Sequence, residues 1–318
     1  MLQLPAHTYM PDTHEATLAR ARRSRDWRKA LEPLEGAYSD ETLRAYSADF
    51  QRFSDWCRAK RVPYLPATPE TVAAYLDDAA QDLKPATLRR RTAAIRKVHR
   101  MARHADPTLA EAVTLALRRA KRSKMARPRQ ALGLTAEIRD LMLAACPGNL
   151  SGLRDQAMIM TGYDTLCRRS ELVALRAEDI ELRPSGGANI LVRRAKNDPD
   201  GNGRVAAISA ATLVRLQAWL KASGIVEGPI FRPVHGKGGK SRHLHPLVVS
   251  RVVKAAARRA GLDSVSVAGF SGHSMRVGCA QDLNRRGLDL LTIMRAGGWR
   301  SSNVVARYVE NSDLTIWD

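Results

Sequence analysis

Aromatic residues are scarce in this 318-residue chain, at 5% of positions, so a folded core must come mainly from Leu, Val, Ile and Ala. Cysteine is scarcer still: Cys57, Cys146, Cys167 and Cys279 are scattered, and no two form a CxxC pair. That spacing argues against a metal ribbon or a disulfide framework and suits a reducing compartment. No apolar run approaches the ~18 residues of a membrane-spanning helix. The opening stretch, MLQLPAHTYMPDTHEA, has no basic segment followed by an apolar one, so no secretory leader is expected. Acidic residues are also in short supply. Asp and Glu number 32 against 52 Lys and Arg, a formal charge of +20. Such self-repulsion disfavours a compact chain unless a polyanion neutralises it. Nucleic acid is the first candidate, and an anionic membrane surface the second.

The length fits two domains at roughly 150 residues each. Both halves are basic: residues 1–130 hold 26 basic and 15 acidic residues, and the remainder 26 and 17. Residues 1–36 are polar and Pro-containing, with a basic cluster from Arg20 to Lys29, and are expected to form a flexible arm with one short helix. From Ser39, Leu43, Tyr46, Phe50, Phe53 and Trp56 recur at helical steps. Thr68-Pro69 opens a second helix and Pro85 a third, with Leu88, Thr92, Ile95, Val98 and Ala102 inward. Asp106-Pro107 is expected to cap a fourth, with Leu109, Val113 and Leu117 inward. Residues 37–124 therefore read as a helical bundle, and the basic run 118–129 as the approach to a linker at 125–131.

The second domain, 132–318, begins with helices, one capped by Thr135 with Ile138, Leu141 and Met142 inward. The period then changes. Asn189–Arg194 and Arg204–Ile208 are short strand candidates flanking the turn-rich loop KNDPDGNG. Helices return at about 210–222, 246–260, 274–286, 289–296 and 302–309. The fold class is mainly α, a helical first domain followed by an α+β domain with a small antiparallel sheet.

The sharpest feature lies in the last fifty residues. His273-Ser274-Met275-Arg276 is an HxxR, followed by Gly297-Gly298-Trp299 and then Tyr308. Upstream, TLCRRSEL places Arg168 at a helix start with Glu171 one turn on, and Lys196 follows the first strand. The ordered set Arg168, Lys196, His273, Arg276, Trp299, Tyr308 resembles the tyrosine recombinase (phage integrase) family, with the nearest likeness to Cre-type site-specific recombinases. The local text TLCRRSEL, SGHSMRVG and AGGWRSSNVVARY shares that likeness. It covers roughly residues 124–310 well and the helical first domain more loosely.

The resemblance implies a C-shaped clamp on duplex DNA, in which a core-binding (SAM-like) domain and a catalytic domain enclose the duplex. It implies cleavage and rejoining through a 3′-phosphotyrosine and a Holliday junction, by four protomers on two copies of a specific site. No metal or nucleotide cofactor is implied, and the setting would be cytoplasmic and nucleoid-associated. The chemistry suits these residue types. Arg168 and Arg276 present planar donor forks to non-bridging phosphate oxygens, where charge develops in the transition state. Tyr308 would attack phosphorus, conserving the bond energy in a covalent ester. Lys196 suits the acid that protonates the leaving oxygen. His273 would accept the tyrosine proton or hold a phosphate oxygen, and Trp299 offers an indole donor and a rigid wall. Glu171 could orient Arg168. Arg169 is an adjacent rival to Arg168, and Arg193, Arg194 and Arg204 compete with Lys196.

Candidate DNA contacts are Arg44 and Arg89, Arg90, Arg96 and Arg100 of the helix from Pro85. Lys121, Arg122 and Lys124 of the basic run and Arg251 of the 246–260 helix complete the set. Most would meet phosphates, which position the protein without reading sequence. His243 and His245 lie in a basic loop without acids, which fits DNA contact or solvation better than metal binding. Two other readings share these features: a type IB topoisomerase-like nicking–closing enzyme, and a non-catalytic DNA-binding or architectural protein.

Overall fold

A computed structural model describes residues 27–124, 130–193, 201–234 and 244–310. The chain divides into two compact units, Met1–Pro128 and Arg129–Asp318.

The first unit is all-helical. Helix α1 (Asp40–Ala59) starts where Ser39 Oγ accepts the Thr42 N–H at 3.3 Å, with Asp40 and Glu41 at the positive end of the helix dipole. Helix α2 (Pro69–Ala79) is capped the same way by Thr68, and α3 (Pro85–Met101) opens on proline. Helix α4 (Glu111–Ser123) closes the unit. The scarce aromatics concentrate here: Trp27, Phe50, Phe53 and Tyr75 are buried, and their rings meet edge-on or tilted at centroid distances of 4.9 to 5.8 Å.

Two expectations for this unit need correction. Residues 27–34 do not belong to a flexible arm; Trp27–Leu34 is a 3-10 helix with Trp27, Leu31 and Leu34 buried in the aromatic core. Asp106 caps only a short 3-10 turn, Pro107–Leu109, and Leu109 points outward at 67% exposure. The fourth helix begins after that turn; Val113, Ala116 and Ala120 are buried, and Leu117 packs half-buried against the same core. Residues 1–26 and most of the expected linker lie outside the described residues.

The second unit is built around α6 (Leu150–Asp164), which is buried along most of its length. Helices α5 (Ala136–Ala144), α7 (Arg169–Ala174), α8 (Ala210–Ser223), α9 (Leu247–Arg259), α10 (Ser264–Gly269), α11 (Ser274–Arg285), α12 (Leu290–Gly297) and α13 (Ser302–Val309) complete its helical set among the described residues. Thr135 makes no capping bond. Instead Asp282 of α11 accepts the Ala136 N–H at 2.7 Å, and also the Tyr163 hydroxyl. Leu141, expected inward, is exposed, and Leu143 is buried in its place.

The sheet holds three antiparallel strands in the order β1 (Ile180–Leu182), β2 (Ala188–Val192), β3 (Arg204–Ile208). The first strand was not among the expected elements. Three residues with one partly buried side chain carry too little alternation to register. Ile180 pairs with Ile190 and Ile190 with Ala206, which puts the alternating apolar positions on the core face.

One buried histidine makes the first unit sensitive to acid. His99 Nδ1 lies 2.8 Å from the Ile95 carbonyl, and Nε2 accepts the Ala67 N–H at 2.9 Å. A carbonyl only accepts and an amide N–H only donates, so the ring is neutral with its proton on Nδ1. Burial lowers its pKa. The unfolded chain then binds the extra proton first, so stability is complete above the free imidazole value of ~6.5 and is lost as pH falls below it, by up to about 1.4 kcal/mol per unit. The protection factor of the Ala67 amide, corrected for intrinsic exchange, should fall below pH 6.5 and level out in His99→Gln. A wild-type profile flat to pH 5 would contradict this.

Candidate DNA-cleavage site

The candidate site assembles at one reversal of the chain. Helix α6 ends at Asp164 with Thr165 as its C-cap, and Leu166 then takes a left-handed backbone (φ 49°), an unusual conformation for a branched residue. The reversal turns the Leu166 carbonyl toward α11, where Arg276 Nη1 donates to it. It also sets Arg168 in extended conformation just before α7. There Glu171 accepts from the Arg168 backbone N–H at 3.0 Å and from Arg168 Nη1 at 2.7 Å. Glu171 is 3% exposed, so one buried carboxylate orients the Arg168 fork.

Helix α11 brings the HxxR. Ser274 Oγ accepts the Ser271 N–H at 2.8 Å and Ser271 Oγ accepts the His273 N–H at 3.1 Å, which fixes the turn before the helix. Gly278 lies against the Leu134 backbone, where a Cβ would come within 1.9 Å of the Leu134 carbonyl oxygen. That close approach seats α11 and leaves Arg276 1% exposed. Its guanidinium lies 3.9 Å from the Trp299 ring centre, and its Nη2 is buried without a hydrogen-bond partner among the described residues. Burial and the adjacent Arg168 charge draw the Arg276 pKa down to about 10, still cationic at neutral pH.

Trp299 follows Gly298, which ends α12 in the left-handed conformation (φ 62°). The Trp299 ring meets Tyr308 of α13 edge-on, with ring centres 5.8 Å apart. Gln281 of α11 donates to the Tyr308 carbonyl at 3.2 Å. Thus α11 holds Arg276 and braces the backbone at Tyr308. His273 reaches solvent, yet protein crowding its ring, followed by the charges of Arg169, Arg276 and Arg168, lowers its pKa against the opposing Glu171.

Six expected residues, Arg168, Glu171, His273, Arg276, Trp299 and Tyr308, therefore meet in one cluster. Lys196 lies outside the described residues. Arg204, considered only as a competitor for Lys196, has a place of its own. Its Nη2 donates to the Thr165 carbonyl at 2.8 Å, its Nη1 to the Ala296 carbonyl at 3.1 Å, and it lies 3.9 Å from Glu171. It ties β3 to the chain reversal and to the end of α12. A Cβ on Gly298 would come within 2.9 Å of Arg204 Cδ, so this glycine leaves room for the side chain to cross there.

The expected DNA contacts divide into two groups. Arg89, Lys121, Arg122 and Arg251 are exposed, and Arg44 is exposed with one bond to its own helix, to the Asp40 carbonyl at 3.3 Å. The others are engaged by acids or carbonyls. Arg90 holds Asp49 through two bonds of 2.6 and 3.0 Å, and Asp49 is 1% exposed, so this pair also joins α3 to α1. Arg96 and Arg100 share Asp106 at 3.4 and 3.0 Å, and Lys124 donates to the Gln81 carbonyl at 2.6 Å. His243 lies outside the described residues.

Comparison with known proteins agrees with this geometry. The profile of the phage integrase family matches residues 134–314, and that of the phage integrase N-terminal SAM-like domain matches residues 28–106. The chain belongs to the phage integrase family and is a tyrosine-type site-specific DNA recombinase. It is 37% identical to an integrase/recombinase xerD homolog of Selenomonas ruminantium, over 90% of this chain and 86% of that one. It is 27% identical to the recombinase cre of Escherichia phage P1, over 87% and 86%. Among solved structures, a lambda integrase dimer bound to a COC′ core site superposes with a TM-score of 0.61 at 17% identity, covering 97% of this chain and 84% of that one. The XerH recombinase bound to difH substrate before cleavage gives 0.61 at 17%, covering 88% and 83%. These two likenesses concern the fold. Among the described residues no helix is long and apolar enough to cross a membrane.

Removing the buried acid that these arginines face should be costly. Glu171→Gln keeps the side-chain shape and leaves Arg168, Arg204 and Arg276 uncompensated. The unfolding free energy of the second unit should drop by about 3 kcal/mol in urea titration. An unchanged midpoint would mean that the carboxylate charge does not hold the cluster together.

Proposed function

We propose that the chain exchanges DNA strands at a specific duplex site, with Tyr308 as nucleophile. The buried guanidinium of Arg276, with one nitrogen unpartnered and its face against Trp299 beside Tyr308, is the observation that carries this reading. A desolvated cation with a spare donor is costly unless an anion completes it, and a scissile phosphate has the matching charge and geometry. Arg168 and Arg276 hold its non-bridging oxygens. The Tyr308 oxygen forms a bond to phosphorus as the bond from phosphorus to the 5′-oxygen breaks. His273 accepts the phenolic proton; its lowered pKa keeps it neutral and able to accept at neutral pH. Lys196 supplies the proton to the leaving 5′-oxygen. Religation reverses these steps, and the route calls on no metal or nucleotide.

In this reading residues 37–124 are the core-binding domain, 125–131 a linker, and 132–318 the catalytic domain. Arg44, Arg89, Arg251 and the basic run contact phosphates, while Arg90, Arg96 and Arg100 do so with their acidic partners retained. Four protomers would act on two sites through a Holliday junction; a lambda integrase tetramer on such a junction is among the fold neighbours. The corresponding setting is the cytoplasm, in association with the nucleoid.

The test is to express the chain in cells, denature, recover DNA linked covalently to it, and sequence that DNA. A duplex bearing the recovered site is then nicked so that cleavage is irreversible. Wild type should form a detergent-stable adduct and, from two sites, recombinant product. Tyr308→Phe should form no adduct while binding the duplex almost normally, and Arg276→Ala should cleave at least ~100-fold more slowly. Lys196→Ala should be slow on normal DNA and recover on a 5′-bridging thiol, which leaves without a proton. Adduct with Tyr308→Phe would refute the nucleophile. Adduct and relaxation without recombinant product would point to a nicking–closing enzyme.

A further inference from the structure

Arg168 is extended and precedes α7, whereas Arg169 is the first helical residue, and their side chains have different surroundings. Arg168 turns to Glu171. Arg169 turns to the loop before α11: a Cβ on Gly272 would lie 3.2 Å from Arg169 Cβ and 3.3 Å from its Cδ. The aliphatic stem is therefore laid across the Gly272 backbone, immediately beside His273. Gly272 permits the approach, because any side chain there would crowd the stem.

The surrounding arginines are all engaged. Arg168 bonds to Glu171, Arg204 to the Thr165 and Ala296 carbonyls, and Arg276 to the Leu166 carbonyl. Arg169 is half-buried and has no hydrogen bond or ion pair among the described residues. Three neighbouring cations already outnumber Glu171, so nothing within the cluster compensates a fourth. A group held there by packing, beside the HxxR turn and without an acid, is set to receive an anion from outside.

We propose that Arg169 is a phosphate-binding residue of the active site, its guanidinium holding the DNA backbone phosphate next to the one that Arg168 and Arg276 engage. The inference rests on the strand-transfer reading above. A second consequence follows from the same placement. The charged groups facing His273 are Arg168, Arg169 and Glu171 from α7 and Arg276 from α11. After burial of the ring, Arg169 is the foremost of these charges acting on the imidazole, so it also helps keep His273 in its neutral form.

Three variants test the proposal: Arg169→Met keeps the stem over Gly272 and removes the charge, Arg169→Lys keeps the charge, and Arg169→Gln serves should the methionine variant unfold. Binding is measured on a fluorescein-labelled duplex bearing the recovered site, across a range of KCl concentrations. Wild type should show a slope of about −5 to −9 in log K against log[salt], and Arg169→Met a slope shallower by about one. Its affinity should drop on the order of tenfold. Arg169→Lys should recover the slope. In the free protein, the NMR titration of His273, assigned with His273→Gln, should move upward in Arg169→Met and stay in place in Arg169→Lys.

A methionine variant that folds, binds with the wild-type slope and affinity, and leaves the adduct yield unchanged overturns the proposal and makes Arg169 a packing residue. An unchanged slope with a shifted His273 titration also overturns it, leaving only the electrostatic effect. If wild type traps no DNA at all, the strand-transfer reading fails, and this inference with it.

Discussion

Three guanidinium groups, those of Arg168, Arg204 and Arg276, share one buried carboxylate, Glu171. This imbalance is the constraint on which the second unit depends. Desolvated like charges repel, and the depressed pKa of Arg276 records that repulsion together with burial. The fold offsets it with neutral acceptors: the carbonyls of Leu166, Thr165 and Ala296 each take one guanidinium N–H. Each carbonyl is available because the backbone departs from regular structure there, through the left-handed turn at Leu166 and the left-handed end of α12. The site is thus a cationic shell short of negative charge, and that shortfall is the free energy with which it can bind a phosphate.

The first unit handles its arginines differently. Asp49 and Asp106 are tucked beneath α3 and hold Arg90, Arg96 and Arg100 in place. Burial opposes the charged form of Asp106, yet the Thr108 bonds and the two arginines outweigh it and lower its pKa. Side chains tethered in this way lose less freedom on meeting a duplex, while their acids temper the attraction. Arg89 on the same helix is exposed without such a tether among the described residues.

Much of this was legible in the sequence. Helical periodicity located α1, α2 and α3 because their inward faces are apolar at three- and four-residue steps. The order Arg168, His273, Arg276, Trp299, Tyr308 identified residues that the structure brings together from α7, α11, α12 and α13. The harder features had local signals too weak to read. Trp27–Leu34 contains Pro33 and several charges, and its order comes from tertiary burial of three side chains rather than from propensity. Strand β1 is held by pairing with β2 and has little pattern of its own. Arg204 looked like one more loop cation, because its partners are backbone carbonyls far away in sequence, and carbonyls leave no residue-type signature.

Charge, rather than shape, is the reason for the arginine cluster. The most direct measurement compares Arg276→Ala with wild type on two substrates bearing the recovered site. One carries an ordinary scissile phosphodiester, and the other a scissile methylphosphonate, which lacks the negative charge. The defect should be large on the phosphodiester and much smaller on the neutral substrate, since less charge then needs compensation. An equal defect on both substrates would contradict the account.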